Sequence, residues 1–172
     1  RGELVELCNP VGREAGYEGL RFVRGLIGAT EPPPTDILIA LHACDTATDD
    51  ALYKGVRAGA SVIITAPCCH KELRPQIEAP AVLGGVLRHG ILLEGEAETL
   101  TDSLRALLLE AAGYRVKVFE FISTEHTRKN TMIAGVRAEA KTDADAALRQ
   151  FRELKEFYGV HELRLEKLLC EI

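Results

Sequence analysis

The sequence lacks tryptophan, and aromatic residues make up only 5% of its 172 residues. Hydrophobic residues nevertheless amount to 47%, so a sizeable core can form, built mainly from Leu, Ile, Val and Ala. Such a core suits strands that are buried between helices. The composition therefore favours one globular domain of the α/β class.

An excess of positive charge is also missing, since the formal net charge is -5. Neutralising a phosphate backbone requires clustered Lys and Arg, so this charge argues against binding nucleic acid through bulk electrostatics, although a local basic patch is compatible with it. The sequence has no apolar run near the roughly 18 residues of a membrane helix, and no basic-then-apolar leader. We expect a soluble, cytoplasmic protein.

A disulfide framework is a third absence. The chain has five cysteines, an odd number, and two of them are adjacent; they are Cys8, Cys44, Cys68, Cys69 and Cys170. In a chain that is neither small nor typical of secreted proteins, this pattern predicts reduced thiols. Because the sequence begins with Arg1 rather than methionine, we expect it to be a piece of something longer.

The most regular part of the sequence is a strand, a helix and a second strand. Residues 36–41 form a nearly continuous apolar run, residues 48–58 have helical character, and residues 60–66 form another apolar run. Such runs are typical of strands covered on both faces in a parallel sheet. If the two strands are neighbours, they should be parallel, with adjacent carboxyl ends.

The remaining elements are predicted from periodicity. The two alternating segments near the end, 114–121 and 131–137, should form an antiparallel pair at one edge of a mostly parallel sheet. We expect residues 1–140 to form one domain, with the amphipathic helices of residues 141–172 packed on its surface. The other predicted elements are a helix from residue 3 that ends at Gly16 despite Pro10, a strand over 20–23, a helix over 97–112, and helices over 147–158 and 163–169.

Polar side chains follow both apolar strands. His42, Cys44 and Asp45 come after the first, and Cys68, Cys69 and His70 come after the second. Ligands of open α/β sheets bind outside the carboxyl ends of the strands. The sequence therefore predicts a site where these two ends meet.

The thiols and imidazoles of this site have three interpretations. A zinc ion could be held by some of the five residues His42, Cys44, Cys68, Cys69 and His70. Two extended adjacent cysteines would point in opposite directions and no C-x-x-C spacing occurs, so we assign no metal ligand. The cysteines could instead act as small buried apolar residues, with a hydrogen-bonded histidine. A direct part in substrate binding is the third interpretation.

Two further groups of polar residues are candidates. The segment 123–130 contains Glu125, His126, Lys129 and Asn130, which could bind phosphate or hydroxyl groups of a substrate or could form a solvated hairpin connection. Asp45 could face a substrate or cap a helix, while capping alone suffices for Asp49.

Three motifs carry a family resemblance: L-H-A-C-D-T-A-T-D at 41–49, A-P-C-C-H-K-E-L at 66–73, and E-H-T-R-K-N at 125–130. Together they resemble a family of class I S-adenosylmethionine-dependent methyltransferase domains, over about residues 3–137. They are more distantly similar to the eukaryotic tRNA 2′-O-methyltransferase that modifies the acceptor stem.

The resemblance implies a Rossmann-like α/β fold, in which a seven-stranded, mostly parallel sheet has one reversed terminal strand. It also implies methyl transfer from S-adenosylmethionine, with RNA as a candidate acceptor. By position, Leu41, His42 and Asp45 would face the cofactor, Asp45 and His70 would be catalytic, and His42, Cys44 and Cys69 would contact the substrate.

The sequence departs from this family at its beginning. The first strands are missing, and with them the glycine-rich loop and the acidic strand end that hold the cofactor in this class. Gly25, Leu26 and Ile27 stand where many relatives place an acid toward the adenine. The chain could therefore be a non-catalytic binding or scaffold module, or it could complete its sheet through another chain, as in a homodimer.

Overall fold

The computed structural model describes residues 2–78, 80–122, 130–140 and 142–170. They belong to two compact units, residues 1–31 and 32–172. The unit of residues 1–31 contains helix α1 (Gly2–Glu14), which confirms the predicted helix and includes Pro10.

The predicted strand over residues 20–23 does not form. This segment is held by a side chain instead of by a neighbouring strand. The Asn9 amide donates to the Phe22 carbonyl over 3.0 Å, and the Phe22 N–H donates to Asn9 Oδ1 over 2.9 Å. Since one asparagine satisfies both backbone groups of Phe22, this residue has no need of a strand partner.

The unit of residues 32–172 contains both strands and helices, as the sequence predicts. All three elements of the strand, helix and strand unit form within a few residues of their predicted bounds. The elements are β1 (Ile37–Leu41), α2 (Thr46–Arg57), β2 (Val62–Ala66), α3 (Gly84–Leu87), α4 (Gly90–Ala111), β3 (Tyr114–Glu120), β4 (Thr131–Arg137), α5 (Ala144–Tyr158) and α6 (Arg164–Cys170).

The four strands form one sheet in the order β1-β2-β4-β3. β1 and β2 are parallel, as predicted, but β4 is antiparallel to both β2 and β3, so the expectation of a mostly parallel sheet is wrong. The order follows from the side chains. β4 brings the fully buried Ile133 to the interior, whereas β3 carries Arg115 and Lys117, which suit an edge strand.

β1 forms the other edge of the sheet. Its alternate residues Ile37, Ile39 and Leu41 are 56%, 60% and 58% exposed, so the expectation that both faces of this strand are covered is wrong within the described residues. An edge strand with apolar side chains can pair with a further strand. The predicted homodimer that completes the sheet therefore stays a prediction.

The core lies between the sheet and helices α2, α4, α5 and α6. Helix α5 contributes Phe151 and α6 contributes Leu165, so both C-terminal helices share the core with α4, whose Leu104 is fully buried. The division into domains at residue 140 stays a prediction. Among the described residues, no helix is both long enough and apolar enough to cross a membrane.

Helix α2 packs so closely on β2 that Gly55 leaves no room for a methyl group. A Cβ at this position would lie 2.7 Å from Cδ1 and 2.8 Å from Cγ1 of the fully buried Ile63. Gly95 in α4 has open space around the same position and is a matched control.

We predict that Gly55→Ala is less stable than Gly95→Ala by about 1–3 kcal/mol. Both substitutions gain the roughly 1 kcal/mol by which Ala exceeds Gly in helix propensity, so the difference isolates the overpacking against Ile63. Urea denaturation of the two variants measures it. Equal unfolding free energies would show that the helix and strand are not in this contact.

Candidate functional site

The carboxyl ends of β1 and β2 lie side by side, as the sequence predicts. Leu41 is in register with Ala66, and the His42 N–H extends the ladder by donating to the Ala66 carbonyl over 3.0 Å. The connections that follow the two strands therefore start from adjacent points. We call them the first loop (residues 42–45) and the second loop (residues 67–72).

The first loop has a strained backbone. His42 has a φ of 55° and Asp45 a φ of 54°, and within the described ranges no other residue except glycine has a positive φ. Non-glycine residues in such regions cost of order 1–3 kcal/mol each and persist where the surroundings enforce them. Such strain is concentrated at functional sites, which marks this loop as a candidate.

The Asp45 carboxylate joins the two loops. Its Oδ1 accepts hydrogen bonds from the main-chain N–H groups of Lys71, over 2.8 Å, and Glu72, over 3.0 Å. Asp45 occupies the N-cap position of α2 but makes no side-chain cap bond there. Its side chain thus fixes the position of the second loop relative to the first.

A buried arginine on α4 organises the other side of the loops. The Arg105 guanidinium donates to both carboxylate oxygens of Asp49, over 3.1 and 2.6 Å, and to Asp102 Oδ1 over 3.1 Å. It also donates to the main-chain carbonyl of Asp45 over 3.1 Å. Arg105 is 1% exposed and Asp49 is fully buried, so these ion pairs are shielded from water.

This arrangement keeps the guanidinium charged. Burial by itself lowers the pKa of Arg105, but the adjacent carboxylates of Asp49 and Asp102 outweigh it and raise that pKa above its ordinary value. Two carboxylates around one cation leave the three residues with an excess negative charge. The buried cluster can therefore accept a hydrogen bond, or a positive charge, from a neighbour.

His70 is that neighbour. Its Nε2 lies 3.1 Å from Asp102 Oδ1, and the residue is 4% exposed. The buried Nδ1 has no hydrogen-bond partner among the described residues. With the carboxylate accepting from Nε2–H, the neutral ring carries its lone pair on Nδ1. His70 is thus oriented by a carboxylate, and its second ring nitrogen is buried without a hydrogen-bond partner among the described residues.

His70 and Asp102 also line an open cavity of about 260 Å³. This cavity lies between the second loop, helix α4 and the strands β3 and β4. Its lining mixes hydroxyls, carboxylates and apolar groups, as is common in ligand sites. The other lining residues are Pro67, Glu98, Thr99, Ser103, Val118 and Thr131.

Three thiols meet where the two loops approach each other. Cys68 Sγ lies 3.8 Å from Cys44 Sγ and 3.7 Å from Cys69 Sγ. The adjacent pair does not diverge, because both residues follow the end of β2 at Ala66 and are not in an extended strand. Burial, together with the two neighbouring thiols, raises the pKa of Cys68 to about 12.

The other predicted site residues do not all lie at the two loops. Leu41 and His42 are exposed at the end of β1. Asn130 is 2% exposed and its amide donates to the Ile122 carbonyl over 2.7 Å, so it stabilises the connection between β3 and β4. Glu125, His126 and Lys129 lie outside the described residues. The catalytic, substrate-binding and cofactor-binding roles given to these residues stay predictions.

The sequence interpretation missed Arg105 and Asp102. A signal was present: Ala97, Thr101, Leu104, Arg105 and Leu108 follow helical spacing, and all of them are buried. A charged residue inside an apolar helical stripe indicates a buried ion pair or a site. Asp49, interpreted as a cap, provides the opposite charge.

We predict that Arg105→Met destabilises the protein by about 3–5 kcal/mol, because it leaves the buried carboxylates of Asp49 and Asp102 without a counter-ion. Arg74→Ala is the control. Arg74 pairs with Glu94 over 2.9 Å, but both side chains are more than 40% exposed, so its loss should cost less than about 1 kcal/mol. Thermal and urea unfolding measure both, and similar losses would contradict a buried network.

Part of the chain is similar to known proteins. Residues 1–76 match the family model described as a methyltransferase domain, and this range includes both loops. A curated relative, "Probable Rho-GTPase-activating protein 6" of Schizosaccharomyces pombe, is 29% identical over 101 residues. That alignment covers 58% of this chain and 14% of the relative. No solved structure matches the chain. The family match supports a methyltransferase domain in this chain.

Proposed function

We propose that this chain forms the acceptor side of an S-adenosylmethionine-dependent methyltransferase, with RNA as the acceptor. The observation that carries the proposal is the match of residues 1–76 to a methyltransferase domain, since this range ends just beyond the second loop. The resemblance to a tRNA methyltransferase in the motifs at 41–49 and 66–73 supports the choice of RNA. The net charge of -5 restricts that contact to a local patch.

The chemistry that the cofactor supplies is an electrophilic methyl group, so the protein's task is to align an acceptor and remove its proton. Alignment alone can account for much of the rate in such a reaction. The cavity beside His70 would hold the acceptor, and the lone pair on His70 Nδ1 would take the proton. Asp102 keeps the ring in this tautomer through its contact with Nε2.

Asp45 contributes differently from His70. One of its carboxylate oxygens already accepts two main-chain hydrogen bonds from the second loop. We therefore give Asp45 the role of holding the two loops at the distance that the acceptor requires. Leu41 and His42, exposed at the end of β1, would border the cofactor.

The two carboxylates nearest the first loop already have partners. Asp49 binds Arg105 through both oxygens, and Asp45 binds the second loop through Oδ1. The connection from β1 to α2 contains no glycine that would let the backbone approach a carboxylate or phosphate of a ligand.

Methyl transfer is tested first as an activity of the purified protein. We expect heat on titration with S-adenosylmethionine, and transfer of labelled methyl groups to total RNA but not to total protein. Label in protein would contradict the choice of RNA. Absence of both heat and transfer would favour a non-catalytic binding or scaffold module.

The role of His70 is tested by His70→Ala, for which we predict a loss of about 10²–10⁴-fold in kcat. His161→Ala is the matched control, because His161 is exposed, and its activity should not change. Added imidazole should partly restore the His70→Ala variant if the ring acts as a base. Lost activity without rescue, in a variant that has also lost thermal stability, would show a purely structural role.

A further inference from the structure

We infer that Cys44, Cys68 and Cys69 bind a zinc ion through three thiolates, at the junction of the two loops. This inference is independent of methyl transfer, because it depends only on the positions of the three sulfur atoms. No histidine is needed as a ligand, in contrast to the wider Cys and His set that the sequence suggests.

The sulfur spacing carries the argument. In a tetrahedral site with zinc–sulfur bonds of about 2.3 Å, two sulfur ligands are about 3.8 Å apart. The measured separations from Cys68 are 3.8 Å to Cys44 and 3.7 Å to Cys69, and all three sulfurs lie within 4.8 Å of one another. Two of the three sulfur pairs thus already have the separation that a shared zinc ion requires, and the third pair lies within 4.8 Å.

Zinc binding explains the positions of the three thiols better than a role in the core or a disulfide does. Free cysteines that act as small apolar residues are commonly buried, but Cys44 is exposed and the other two are only half-buried. The separations of 3.7 and 3.8 Å are far from the roughly 2.05 Å of a disulfide. A soft ion that prefers thiolates, such as zinc, accounts for all three residues at once.

Three thiolates at one point would concentrate negative charge, which a cation would offset. A divalent ion would stabilise the three thiolates and leave one negative charge. Helix α2 begins at Thr46, two residues after Cys44, and the partial positive charge of its N-terminus offsets part of that charge.

The site would be open on one side. Cys44 is exposed, and no fourth cysteine, histidine, aspartate or glutamate of the described chain joins the cluster. A zinc ion with three protein ligands keeps a position for water or for an atom of a substrate. We therefore expect this zinc to be accessible to small ligands from solution.

The first test is the metal content of the intact chain, purified under reducing conditions. We expect about one zinc per chain by elemental analysis. After removal of zinc, titration with Co²⁺ should give the visible bands of tetrahedral cobalt together with thiolate charge-transfer bands. Metal content near zero, with no cobalt spectrum and a folded chain, would overturn the inference.

Cysteine variants identify the ligands. Cys44→Ser, Cys68→Ser and Cys69→Ser should each lower the zinc affinity by more than the roughly 10–100-fold lost with an outer-shell partner. Cys8→Ser and Cys170→Ser are matched controls that should keep full affinity. If a variant does not fold, the cobalt spectrum of the wild-type chain still reports the number of thiolates. Equal losses in the controls, or a disulfide at Cys68 in the reduced preparation, would contradict the site.

Discussion

The contact between Arg105 and the two carboxylates of Asp49 and Asp102 determines how the candidate site is assembled. It joins α2 to α4 in the interior and, through the Asp45 carbonyl, holds the end of the first loop. A buried guanidinium is tolerated only when its donors are matched, so α2 and α4 can dock in few ways. His70 then finds its acceptor on Asp102, which positions the second loop against the same cluster.

The loops are held from both sides, and this explains the strain in the first one. Two sets of hydrogen bonds restrain Asp45. Arg105 donates to the main-chain carbonyl of Asp45, and the N–H groups of Lys71 and Glu72 donate to the Asp45 carboxylate. A positive φ at a non-glycine residue persists when such contacts outweigh its cost. One aspartate thereby brings the thiols of both loops together and fixes the wall of the cavity.

Much of the frame could be predicted from the sequence, because it follows from local patterns. The apolar runs gave β1 and β2 and their parallel pairing, and the spacing of leucines gave α4. The position of the site at the ends of β1 and β2 followed from the same logic. What failed depended on long-range choices: β4 lies between β2 and β3 and is antiparallel to both, and Asn9 replaces a strand partner for Phe22. Arg105 was missed because its partner Asp49 lies 56 residues away.

The pairing of Asp102 with Arg105 also bears on how the chain folds. These residues are three positions apart on one helix, so their contact can form in α4 before any other element is present. Asp102 then serves as the counter-ion of Arg105 when α4 becomes buried. The guanidinium is therefore not removed from water without a partner. The two hydrogen bonds from Arg105 to Asp49 are then added only when α2 packs against α4.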